Sequence, residues 1–236
     1  MTGDDVVGAV AGIPKNSPEK SYLQNRVDPW GKLQVMPQRG VWMGNRGILH
    51  NDEKQIVKPW QHKGWVTCRL KYGESTRTGN SSREKLFTPG NYSELFFLDE
   101  ATALAAGHRP CSQCRNKRYK EFKLAWAAAN RDRISSDDPP YKEMDEVLQG
   151  ERALSEGEKN TYAAALDSLP EGTMIELDGK AFLVWRARLY QWSFSGYTED
   201  KAKRAPAGLV KVLTPASIVR MYSRGFVPQV DVSAFE

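Results

Sequence analysis

Cysteine and histidine are both scarce in this chain, with three of each among 236 residues. An odd, small number of cysteines argues against a disulfide framework and for reduced thiols or metal ligands. No stretch approaches the run of about 18 apolar residues that a membrane-spanning helix needs, and the polar N-terminus has no signal-peptide core. A cytoplasmic protein is the expectation. The motifs G-x-S-x-G, H-E-x-x-H and the Walker loop are also missing, which removes the signatures of the commonest hydrolases and phosphate binders. No internal repeat is visible.

What the chain has is positive charge, 34 Lys and Arg against 29 Asp and Glu, for a formal net charge of +5. That excess suits a polyanionic partner without requiring one. The charge is densest between residues 109 and 133, where eight basic side chains face two acidic ones.

The pattern along the chain predicts an α+β fold in two parts. Residues 1–21 mix Gly, Pro, Asp, Lys and Ser without a period, as a mobile arm does. Residues 25–52 are broken by Gly31, Pro37, Gly40, Gly44 and Gly47 and fit short strands with tight turns. "GWVTCRLKYG" alternates as a strand, and "TPGN" fits a type II turn. Asp99 is placed to cap a helix through "EATALAA", with Gly107 at its stop. Pro110 suits the first position of a second helix, about 111–129, with Tyr119, Phe122, Trp126 and Ala129 at helical spacing.

The polar, proline-broken segment 136–154 reads as a linker. After it, "SEGE" has capping-box spacing before "KNTYAAALDSL". "TMIELDGKAFLVW" predicts a hairpin turning at Asp178-Gly179, "LVKVLT" a strand, and Thr214-Pro215 the start of a helix that Gly225 closes. The expected architecture is therefore a small zinc-stabilised sheet with helices over 22–135, then a β-rich region with flanking helices over 155–236.

The stretch with the most chemistry is "GHRPCSQCR". Two cysteines separated by two residues at a helix start can aim both sulfurs at one point, and the helix end favours thiolates. Structural Zn²⁺ takes four Cys or His ligands. Cys111 and Cys114 give two, and Cys68 gives a third from its strand. His50 is the preferred fourth, ahead of His62; His108, a carboxylate or water are the other choices. Plain buried thiols and a redox pair are the competing interpretations.

"FFLDEATALAAGHRPCSQCR", residues 96–115, resembles the N-terminal metal-binding domain of the Ada methylation-repair protein, where an alanine-rich helix precedes A-G-F-R-P-C-x-x-C-R. The resemblance covers some 20 residues well and reaches weakly upstream to "TCRL". That family binds zinc through four cysteines, one of which accepts a methyl group from a DNA phosphotriester. The resemblance implies that Cys111 and Cys114 are ligands and that Cys68 matches the acceptor. It also shows departures, with Tyr72 in place of the other upstream cysteine and His108 in place of an aromatic residue.

Together these features predict a zinc-containing nucleic-acid-binding protein directed at DNA rather than RNA, in repair, modification or defence. Candidate phosphate contacts are Arg46, Arg109, Arg115, Lys117, Arg118 and Lys120, with Lys203 and Arg204 as a second basic group beyond the aromatic run Tyr190, Trp192, Phe194 and Tyr197. The alternatives are an Ada-like alkyl acceptor and a metal-dependent nuclease, the latter built on His50, Asp52 and Glu53 beside Arg46. A His50 that ligates zinc is unavailable as a general base.

Overall fold

A computed structural model describes residues 22–70, 86–154, 157–200 and 208–235. The fold is α+β. Among the described residues, twelve strands form two six-stranded sheets, accompanied by four α-helices. No helix among them is long and apolar enough to cross a membrane. The expected arm at 1–21 and the basic tip at Lys203 and Arg204 lie outside the described residues.

The first sheet contains β1 (Gln24–Val27), β2 (Leu33–Val35), β3 (Trp42–Asn45), β4 (Val66–Arg69), β5 (Leu95–Phe97) and β6 (Arg109–Pro110). Its spatial order is β2-β1-β5-β3-β4-β6. The two glycines in "GNRG" have different reasons to be glycine. Gly47 has φ +100°, a conformation that disfavours side chains. Gly44 is not left-handed; instead, a Cβ there would stand 2.4 Å from Cε2 of the Phe97 ring.

Helix α1 (Glu100–Ala105) follows β5 and begins where expected. The Asp99 carboxylate accepts the Thr102 N–H at 2.7 Å, satisfying a donor that a helix start leaves unpaired. The next helix, α2 (Asn116–Ala129), starts later than Pro110 predicts. Arg109 and Pro110 form β6 and pair in parallel with Val66 and Thr67. Pro110 has no N–H to donate, so an edge position suits it as well as a helix start does. The cysteine pair therefore lies on the turn from β6 into α2.

The stretch 136–154 carries a third helix, α3 (Tyr141–Arg152), where a linker was expected. Met144 and Leu148, four residues apart, are fully buried against Trp126 and Phe122 of α2 and Ile218 and Met221 of α4 (Ala216–Tyr222). Polar composition disguised an amphipathic helix whose apolar face is narrow.

The second sheet holds β7 (Tyr162–Ala165), β8 (Met174–Leu177), β9 (Lys180–Trp185), β10 (Arg188–Ser193), β11 (Gly196–Glu199) and β12 (Leu209–Val212), in the order β11-β10-β9-β8-β12-β7. The Asp178-Gly179 hairpin is present, with φ +50° and +73° at its two turn residues and Leu177 opposite Lys180. The alanine run after "SEGE" is a strand, not a helix: Tyr162–Ala165 pairs residue by residue with β12. Pairing with a neighbouring strand overrides alanine's helix preference.

The two halves share one core. Leu98, Ala101 and Ala105 pack with Met174, Leu183, Trp185, Tyr190, Trp192 and Tyr197. The alternating aromatics of 190–197 are thus core residues rather than platforms for bases. Polar links cross the same boundary: Tyr197 donates its hydroxyl to Asp99 at 2.8 Å, and the Trp192 indole donates to Thr102 at 3.0 Å.

The β3–β5 packing predicts that Gly44→Ala lowers stability by about 1–3 kcal/mol, since the added methyl overpacks a site already filled by Phe97. Urea unfolding measures this; an unchanged midpoint would show that the ring can yield.

Candidate metal centre

The sulfurs of Cys68, Cys111 and Cys114 all lie within 4.8 Å of one another. Backbone pairing produces this convergence. β6 runs parallel to β4, with Val66 beside Arg109 and Thr67 beside Pro110, so the next pair along is Cys68 and Cys111. The Cys111 N–H donates to the Thr67 carbonyl at 2.9 Å and extends the ladder by one step. The chain then turns, and the Arg115 N–H reaches back to the Cys111 carbonyl at 3.1 Å, which brings Cys114 round to the same side.

Three soft sulfur donors at this separation suit a tetrahedral thiophilic ion, for which sulfurs about 2.3 Å from the metal stand roughly 3.8 Å apart. Cys114 is buried, and Cys68 and Cys111 are half-buried. Hydrogen bonds from the Cys114 and Cys68 thiols pull Cys111 strongly toward the thiolate, and the same contacts raise Cys68 and Cys114. Hydrogen bonding within the cluster thus favours the thiolate at Cys111 over the other two.

Among the described residues, no fourth His, Cys, Asp or Glu joins the three sulfurs. β3 runs from Trp42 beside Arg69 to Asn45 beside Val66, so the chain leaves the cysteine end of the sheet before it reaches His50. There the His50 ring stacks on Phe87 at 4.6 Å, and its Nδ1 lies 2.7 Å from the Ser93 hydroxyl. His62 precedes β4 at the same far end. His108 is fully buried, accepts a hydrogen bond from Arg46 at 3.0 Å and packs between Trp65 and Phe97. Tyr72 lies outside the described residues. His50, Asp52 and Glu53 do not form a metal-binding group either: His50 points inward while the two carboxylates are exposed.

The arginines expected to contact phosphate are mostly committed elsewhere. Arg109 makes a two-pronged ion pair with Asp145 of α3, at 2.7 and 2.8 Å, with both side chains nearly fully buried. Arg115 binds Glu100 at 2.5 Å and Thr67 at 2.8 Å, and lies 3.8 Å above the Trp42 ring. Arg118 binds Glu100 at 2.7 Å and covers Phe226. Arg46 is buried against Trp65 and His108. Of the six in this region, only Lys117 and Lys120 are exposed, both on α2 just after the cysteine turn.

No spacing rule marks Glu100 or Thr67, yet they hold the cysteine turn in place. Glu100 is fully buried and accepts Arg115, Arg118 and the Gln229 N–H. Comparison with protein-family models, curated proteins and solved structures gave no match.

Burial opposes the charge on Glu100, but Arg118 and Arg115 outweigh it and hold the carboxyl below its ordinary value. A depressed carboxylate adds stability above its unfolded-state pKa and loses that contribution as pH falls through the folded-state value. Glu100→Gln should therefore cost about 3–5 kcal/mol at pH 7, because it leaves the buried Arg115 without a carboxylate and Arg118 with only the more exposed Glu121. The difference from wild type should shrink as pH falls below about 4. Urea midpoints from pH 7 down to pH 3 test this, and a gap independent of pH would refute it.

Proposed function

We propose that this protein is a zinc-containing nucleic-acid-binding protein directed at DNA, in repair, modification or defence. The observation that carries the metal half is the convergence of three cysteine sulfurs within 4.8 Å from separate parts of the chain. A donor set with three sulfurs favours Zn²⁺ among the common cellular cations. The resemblance of residues 96–115 to the Ada metal-binding domain supports both the metal and the DNA.

The phosphate-binding surface in this proposal is smaller than the charge count suggests. It consists of the exposed Lys117 and Lys120 on the first turns of α2, with the exposed Arg69 beside Cys68. Three neutralised phosphates give a slope near −2.7 in log affinity against log salt, so affinity should fall roughly 40-fold between about 50 and 200 mM. Lys117→Gln/Lys120→Gln should flatten that slope by about 2. The purified protein should contain one zinc per chain by elemental analysis and should lose it when Cys68, Cys111 and Cys114 become serine. Duplex and single-stranded DNA retention measured across the salt range tests the second half; salt-independent retention, or none, removes it.

The alkyl-acceptor alternative rests on Cys68 alone, which is half-buried and matches the family's acceptor position. Mass spectrometry after incubation with methylphosphotriester DNA decides it, since only an acceptor gains a methyl group on Cys68.

A further inference from the structure

Away from the cysteines, the protein buries two arginines that have no direct ion pair among the described residues. A cavity of about 470 Å³ is lined by Arg46 and Arg152 and walled by Trp30, Trp60 and Trp65, with Lys58 at its edge. Arg46 is 3% exposed and Arg152 is 2% exposed. The buried carboxylate that acts on Arg152, Asp145, is bound by Arg109, and the one that acts on Arg46, Asp28, accepts hydrogen bonds from Lys32 and Gln34.

The hydrogen bonds these arginines do make are to neutral groups. Arg152 donates to the carbonyls of Gly107 and Lys63 and to the Gln149 side chain. Arg46 donates Nε to His108 and Nη2 to the Gly31 carbonyl at 3.0 Å, and Nη1 makes no hydrogen bond among the described residues. Both guanidiniums lie about 4 Å from the Trp65 ring, 4.2 Å for Arg46 and 4.1 Å for Arg152. Lys159, whose side-chain nitrogen donates to the Ala105 carbonyl, is a further basic group in the field of these two arginines.

Two arginines cannot escape this cost by losing a proton, because guanidinium stays charged. Buried charges are normally paired or bound to an ion of opposite sign. The surroundings are unfavourable enough that burial lowers Arg46 and Arg152 to about 9. Burial, with Arg46 and Arg152 as neighbours, brings Lys159 to about 7. Asp28, which accepts the Lys32 N–H at 2.9 Å and the Gln34 amide at 3.1 Å, is the carboxylate that opposes this field for Arg46 and Lys159.

We propose that this cavity is a binding site for one nucleoside monophosphate unit, with its phosphate drawn to Arg46 and its base laid against the half-buried tryptophans Trp30 and Trp60. The phosphate supplies the missing negative charge, and Nη1 of Arg46 supplies donors for it. A flat base uses the aromatic wall that a bare anion leaves idle, and ring stacking of this kind is common where single nucleotides are held. The cavity size falls within the ordinary range for small-molecule sites. None of the three cysteines takes part, so this site and the metal centre stand or fall separately.

Either a free nucleotide or a nucleotide of a single strand could present this chemistry. Tryptophan fluorescence and calorimetry on the full chain, with dAMP, dCMP, deoxyadenosine, inorganic phosphate and a single-stranded oligonucleotide, separate the cases. The nucleotides should bind at least roughly tenfold more tightly than deoxyadenosine or phosphate. Trp60→Ala and Lys58→Gln should each weaken them by roughly tenfold or more, with an unchanged melting temperature. An oligonucleotide much tighter than dAMP, and equally sensitive to Trp60→Ala, identifies the strand as the source. Equal affinity identifies the free nucleotide. The proposal is overturned if phosphate alone binds as tightly as dAMP, if nothing binds up to about 5 mM, or if Trp60→Ala leaves nucleotide binding unchanged.

Discussion

A single buried carboxylate fixes the part of the molecule where the cysteines meet. Glu100 sits at the first position of α1 with no exposed surface, and it must be compensated from within the protein. Both arginines that compensate it, Arg115 and Arg118, follow directly after the Cys111/Cys114 turn. Arg115 also binds Thr67, the residue before Cys68. One charge cluster therefore anchors the start of α2 to the middle of β4. Parallel pairing of β4 and β6 supplies the remaining alignment, and the three sulfurs converge between these constraints.

The same cluster accounts for where the charge-based expectation went astray. Arg109, Arg115 and Arg118 form a basic run in the sequence, and a run of that kind ordinarily faces solvent. Their acidic partners, Asp145 and Glu100, lie in other helices, 36 residues from Arg109 and 15 and 18 residues from Arg115 and Arg118. Net charge over a window cannot register such pairs. The aromatic rings of Trp42 and Phe226 complete the burial, since guanidinium planes stack on them at 3.8 and 4.1 Å. What remains for solvent near the three cysteines is Lys117, Lys120 and Arg69, a modest patch.

Local signals in the sequence were dependable where backbone chemistry alone decides. The Asp99 cap, the Asp178-Gly179 hairpin and the Thr88–Asn91 turn, with Gly90 at φ +78°, all follow from requirements of a few adjacent residues. The cysteine triad was legible for a related reason: thiols are rare in the chain and their chemistry is distinctive. That none of the three histidines joins the sulfurs was not legible: β3 carries the chain away from Cys68 before His50, and His108 is held by Arg46 between Trp65 and Phe97. β7 and α3 were misjudged because pairing with β12 and packing against α2 and α4 are tertiary effects. The cationic cavity was invisible for the same reason, since Arg46, Trp60 and Arg152 share no spacing.

The protein thus places two kinds of side-chain cluster in two different settings. At the cysteines, three soft sulfur donors converge on one point; in the tryptophan-walled cavity, two guanidiniums are buried. X-ray absorption at the zinc edge of the protein purified from zinc-supplemented cells tests the proposed metal site most directly. Three sulfur neighbours at about 2.3 Å are predicted. A shell of only nitrogen and oxygen neighbours, at about 2.0–2.2 Å, would contradict it.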